Sequence, residues 1–254
     1  MRSFSALTFF FSKAGWFCGA CLYFVPILTS GQETVTAQVE ITRRAEDVKT
    51  APAHSPINAG VVVWLRPVDH SKKPSDAPAN PNHKPQLVQK NKSFEPHLLV
   101  VEVGTVVDFP NHDPFFHNVF SLFEGKRFDL GLYEAGATNS VRFDKAGISF
   151  LFCNIHPEMS AVVVAVDSPY FGISDRSGRV TIAKVPDGRY EMHAWYERSS
   201  AANLKLLTKM VSISPLDRTP ESIRVVENPD FTLSHKNKYG QEYVPPPSPT
   251  YSHR

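Results

Sequence analysis

Ser149 to Val166 reads SFLFCNIHPEMSAVVVAV. Two runs rich in β-branched and aromatic residues flank a short segment that holds a cysteine, a histidine and a methionine. Cys153, His156 and Met159 therefore sit on a strand-to-strand turn with the spacing C-x2-H-x2-M. The chain has 3 cysteines in 254 residues. The other two, Cys18 and Cys21, lie in AGWFCGACLYFVPIL, an uncharged apolar run that follows Arg2 and Lys13 and ends at the small residues TSG. That pattern reads as a signal peptide over 1–31, and an uncleaved segment would instead tether the chain to a membrane. The mature protein is then periplasmic or otherwise exported, with Cys153 as its single thiol. One thiol makes no disulfide framework, so Cys153 is either a small buried hydrophobe or a residue used for its chemistry.

A thiolate, an imidazole and a thioether form a soft donor set that suits copper, and a trigonal His2Cys group with a weak axial Met is the arrangement of blue-copper centres. The missing second imidazole has to come from a distant strand, because a rigid site takes its ligands from separate parts of the scaffold. VEVGTVVDFPNHDPFFHNVFSL, residues 101–122, supplies it. A strand from Leu98 to Phe109 leads through the turn NHDP to His117 and Asn118 on a second strand. The competing account is a core cysteine beside incidental loop residues; four donors in this order argue against it. His54, His70, His83, His97, His112, His193, His235 and His253 lie mostly in polar loops and read as solvated.

With these residues in place, the stretch from Pro85 to Asp167 resembles the cupredoxins, and its short ligand loop is similar to that of the amicyanins. The resemblance rests on FEPHLLVVEVGTVVDFPN, HNV and CNIHPEM. It implies a Greek-key β-sandwich over 85–168 with one type 1 copper. The implied ligands are the His117 and His156 imidazoles, the Cys153 thiolate and the Met159 thioether, with Asn118 tying the two ligand loops together by hydrogen bonding. It further implies electron transfer to a redox protein partner that docks near His156, on an apolar patch to which Pro157 and Phe115 or Phe116 contribute. The loop has no second cysteine for a binuclear centre. Phe152 stands where multicopper oxidases and nitrite reductases carry a bridging histidine, so the expectation is an electron carrier and not an enzyme.

The flanks carry a second pattern. YFGISDRSGRVTIAKVPDGRYEMHAWYE, after residue 169, reads as short strands joined by turns at Asp175–Gly178 and Pro186–Gly188. Its D-x-x-G-x-x-x-I-x-x-V-P-x-G-x-Y run resembles the carboxypeptidase regulatory-like domain, a small transthyretin-like β-sandwich. The earlier strands of that family lie upstream of the run, and VTAQVEI and GVVVWLRPV within 32–70 have the right character. The expected fold class is all-β: a second small sandwich, formed by 32–70 and 169–228, split by the cupredoxin inserted after a linker at 71–84. Asp175, Asp187, His193 and Glu197 serve turns and surfaces better than catalysis. Residues 229–254 read as a Pro-rich, extended or disordered tail.

Composition narrows the function classes. With 42% hydrophobic residues the chain can bury one or two cores, while a formal net charge of +2 and no basic patch interleaved with aromatics leave no support for nucleic-acid binding. Copper storage or delivery is an alternative, but it wants exchangeable ligands, commonly Met- or His-rich, and the chain's 4 methionines do not favour it. A surface adhesion or carbohydrate-binding role would leave the intact ligand set without a purpose.

Overall fold

The computed structural model describes residues 34–42, 58–69, 84–122, 125–228, 230, 231, 233 and 235–243. The expected signal segment, with Cys18 and Cys21, and nearly all of the linker lie outside them. The regular secondary structure of the described residues is almost entirely strand, with one short helix, α1 (Ala201–Lys205).

The stretch VTAQVEIT alternates apolar and polar residues, and in β1 (Val35–Thr42) burial alternates in the same register. One face meets a core and the other meets water. β1 pairs antiparallel with β13 (Arg179–Ile182) and parallel with β16 (Ile223–Val226). Opposite this sheet, β2 (Val62–Pro67) lies between β12 (Phe171–Ile173) and β14 (Gly188–Trp195), with β15 (Lys209–Ile213) at the edge. Val35, Val39, Val63, Leu65, Val180 and Met192 fill the space between them. Strands from before residue 70 and after residue 170 thus share both sheets. Everything between them forms other sheets.

The D-x-x-G and V-P-x-G-x-Y signals have local physical causes. The Asp175 carboxylate accepts from the N–H groups of Ser177 and Arg179, closing the turn. Gly178 has φ +85 and its carbonyl accepts from the Val39 N–H at 2.7 Å, so near β1 that a Cβ would collide with the Val39 carbonyl. The Tyr190 hydroxyl donates to the Pro186 carbonyl at 2.7 Å and pins the second turn.

The inserted segment builds a five-stranded sheet in the order β5 (Leu98–Glu102), β11 (Ser160–Val166), β10 (Gly147–Cys153), β7 (Val119–Ser121), β8 (Phe128–Asp129). Facing it are two pairs, β3 (Val88–Lys90) with β4 (Ser93–Glu95) and β6 (Val106–Pro110) with β9 (Thr138–Arg142). Leu87, Val107, Phe109, Phe143, Leu151 and Cys153 belong to the core between them. SAVVVAV in β11 does not alternate because both of its faces are buried. Ala161, Val163 and Ala165 point into the inserted sandwich, while Val162, Val164 and Val166 form a separate core with Val62, Val100 and Trp195. That second core joins the two sandwiches.

Residues 235–243 depart from the expected extended or disordered tail: they pack against the inserted sandwich beside the β10–β11 turn.

Candidate metal centre

The turn between β10 and β11 is short because the two strands pair up to Phe152 and Ser160. Seven residues close it. The Cys153 N–H reaches the Met159 carbonyl at 3.3 Å, and the Met159 N–H donates to the His156 carbonyl at 3.0 Å. Pro157 adds a fixed φ to the turn. Cys153 and Met159 are fully buried in one core, and His156 is half-buried at the rim.

His117 enters from the strand end before β7. Its backbone pairs in both directions with Tyr133, at 3.1 and 3.0 Å, and its side chain is fully buried. Its Nε2 lies 2.9 Å from the Asp113 carboxylate, itself only 5% exposed. A carboxylate accepts, so Nε2 carries the proton and the Nδ1 lone pair is free to face the turn. Asp113 also accepts from the Asn91 and Lys92 N–H groups, at 2.6 and 2.9 Å. These two residues turn the β3–β4 hairpin with φ 55 and 53. Burial pushes the Asp113 carboxyl up, but the N–H groups of Lys92 and Asn91 and the His117 ring outweigh it and hold the group below its ordinary range.

Three donor atoms converge. Cys153 Sγ lies 3.6 Å from His117 Nδ1 and 3.6 Å from His156 Nδ1, and the two nitrogens are 3.2 Å apart. A point in the plane of these atoms is about 2 Å from each, the length of a metal–imidazole bond. His117, Cys153 and His156 are the one such metal-capable group of His, Cys, Asp and Glu among the described residues. Burial, followed by the nearness of His117, holds the His156 imidazole below its ordinary value, so its lone pair is available at neutral pH. The Phe115 ring stands beside both histidines, at 5.3 and 5.4 Å between centroids. Phe116, 54% exposed, and Pro157 face solvent close by in sequence.

Asn118 joins the two loops by a different path from the one expected of its side chain. Its backbone carbonyl accepts from the Asn154 N–H at 3.0 Å, whereas its side-chain amide donates to Asp129 and to the Gly131 carbonyl. Three histidines read as solvated have partners. His235 stacks on Phe152, His193 stacks on Trp64, and His97 bridges Glu197 and the Ser160 carbonyl. The acid–base grouping on the second sandwich does not assemble: Asp175 closes its turn, Asp187 pairs with Arg218, and Glu197 with His97. Sequence reading missed Asp113 and Tyr243. For Asp113 a signal existed, a carboxylate four residues before a candidate ligand histidine.

No family model matches the chain, and no curated protein is similar to it. Among solved structures it is similar to a copper-containing nitrite reductase (NirK) from Thermus scotoductus SA-01, at 24% identity and TM-score 0.33, over 34% of this chain and 23% of that one. The chain spans about a quarter of that reductase. It is similar to a purple cupredoxin from Nitrosopumilus maritimus at 23% identity and TM-score 0.30, over 32% of this chain and 99% of that one. A mutant of amicyanin with Cu(I) matches at 23% identity and TM-score 0.30, over 32% of this chain and 80% of that one.

Proposed function

We propose that the chain is an exported mononuclear type 1 copper protein that carries single electrons, with His117, Cys153 and His156 as strong ligands and Met159 as the weak axial one. The carrying observation is the convergence of two imidazole nitrogens and a buried sulfur on one point about 2 Å from each, a donor set soft enough for copper. Copper, when bound, supplies one-electron exchange between Cu(I) and Cu(II). The residues supply the rest. Asp113 keeps the proton on His117 Nε2 and its ring in orientation, and the short β10–β11 turn keeps Cys153 and His156 in place, so little reorganisation opposes transfer. His156, half-buried beside the exposed Pro157, is the exit to a redox protein partner. Export rests on the apolar segment of 1–31. The D-x-x-G and V-P-x-G-x-Y turns support the second sandwich as a carboxypeptidase regulatory-like domain.

The test is the visible spectrum of the full chain loaded with one equivalent of Cu(II). An intense blue or purple thiolate-to-copper band is expected, and Cys153→Ser, which nearly preserves volume, should fold and lose it. A colourless wild-type protein, or a coloured Cys153→Ser variant, removes the electron-transfer reading.

A further inference from the structure

Phe120 and Phe152 lie on the face of the five-stranded sheet opposite Cys153, yet they are only 1% and 2% exposed. The segment 235–243 lies over them. The His235 ring stacks on Phe152 with centroids 3.8 Å apart and 23° between planes, and meets Phe120 edge-on at 6.5 Å. The Tyr243 ring in turn meets His235 at 5.3 Å.

Polar contacts tie the same segment to the ligand turn. The Tyr243 hydroxyl donates to the Cys153 carbonyl at 2.9 Å. The Lys238 N–H donates to the Asn154 side-chain carbonyl at 3.0 Å, and His235 Nε2 meets the Pro157 carbonyl at 3.0 Å. Lys238 Nζ reaches Asp129 at 2.8 Å, and the other oxygen of that carboxylate accepts from the Asn118 amide at 2.6 Å. Cys153, Asn154 and Pro157 are therefore all held from outside the inserted sandwich. Through Asp129 the segment also reaches Asn118, the residue next to His117.

We infer that residues 235–243 form a clasp belonging to the metal centre, with Tyr243 as a positioning residue for Cys153. The clasp holds the 153–159 turn in its ligand geometry whether or not metal is present. Its effect on copper rests on the electron-transfer reading above. A donor on the carbonyl of the thiolate residue withdraws electron density, and a cover that excludes water disfavours the more highly charged Cu(II) form. Both raise the reduction potential.

Two measurements on the full chain test this, comparing wild type with Tyr243→Phe and with His235→Ala/Tyr243→Phe. In the metal-free protein, hydrogen exchange of the Cys153, Asn154 and Met159 amides should quicken about fivefold in Tyr243→Phe, the factor to which a typical net hydrogen bond converts, and more in the double variant. The Val163 and Val164 amides, the control for folding, should not change. In the copper form the midpoint potential should fall in the same order while the colour persists. Unchanged exchange at the turn overturns the clasp, and faster exchange with an unmoved potential overturns its influence on the metal. Faster exchange in a protein that is colourless with Cu(II) upholds the clasp and removes the electron-transfer reading instead.

Discussion

The two faces of strand β10 differ in what they ask of a residue. Toward the inserted sandwich it presents Ser149, Leu151 and Cys153; on the other side Ile148 and Phe150 pack against the Trp195 cluster, and Phe152 lies under His235. The inner face ends in a donor atom aimed at two histidines. The outer face is apolar along its length and holds the molecule together. Because side chains alternate strictly along a strand, one run of residues serves both purposes without compromise at any position. Changes at the donor-bearing end of the inner face should act first on the metal centre, and changes where Ile148 and Phe150 meet the Trp195 cluster should act first on stability.

The largest expected effect lies on the outer face. Trp195, 8% exposed and edge-on to Phe150, joins the sandwiches, so Trp195→Ala should cost about 3–5 kcal/mol in denaturant unfolding while the copper colour survives. Loss of colour in a folded Trp195→Ala protein would break the division between faces. On the inner side, Asp113→Ala removes the acceptor that orients His117, and copper affinity measured by competition with a chelator should fall about 10–100-fold. An unchanged affinity would show that burial alone holds the ring.

Met159→Gln should act more mildly. In the proposed ligand set it exchanges a weak, long axial ligand, so the colour should remain while the midpoint potential shifts. A bleached protein would place Met159 among the strong ligands. The smallest effect belongs to the seam. The Glu197 hydrogen bond raises the His97 pKa against the effect of burial. A raised folded value means stability that is full below the ordinary value of about 6.5 and lost as pH rises through the folded one. The advantage of wild type over His97→Gln should therefore appear in mildly acidic buffer and vanish in alkaline buffer. With the ring 48% exposed it should stay below about 1 kcal/mol. A wild-type advantage that grows with pH would contradict the pairing.

Much of this was legible in the chain. The alternation of VTAQVEIT marks a one-sided strand and the unbroken SAVVVAV a strand buried on both sides, because burial acts residue by residue along a fixed period. The turn chemistry of Asp175–Gly178 and Pro186–Tyr190 is local too. The tail misled because polarity and proline content describe a segment without its partners. His235 and Tyr243 are ordinary residues until Phe152 and the Cys153 carbonyl stand beside them.

By itself the sequence determined the kinds of donor, their order, and the turn that keeps Cys153, His156 and Met159 within a few residues, since side-chain chemistry and short loops are local properties. Only the tertiary structure decided that the β3–β4 hairpin grips Asp113, that Asp113 turns His117, and that a segment some ninety residues downstream covers the sheet behind Cys153. Those contacts join positions far apart in the chain. Their geometry depends on how the sheets stack, which no spacing along the chain encodes.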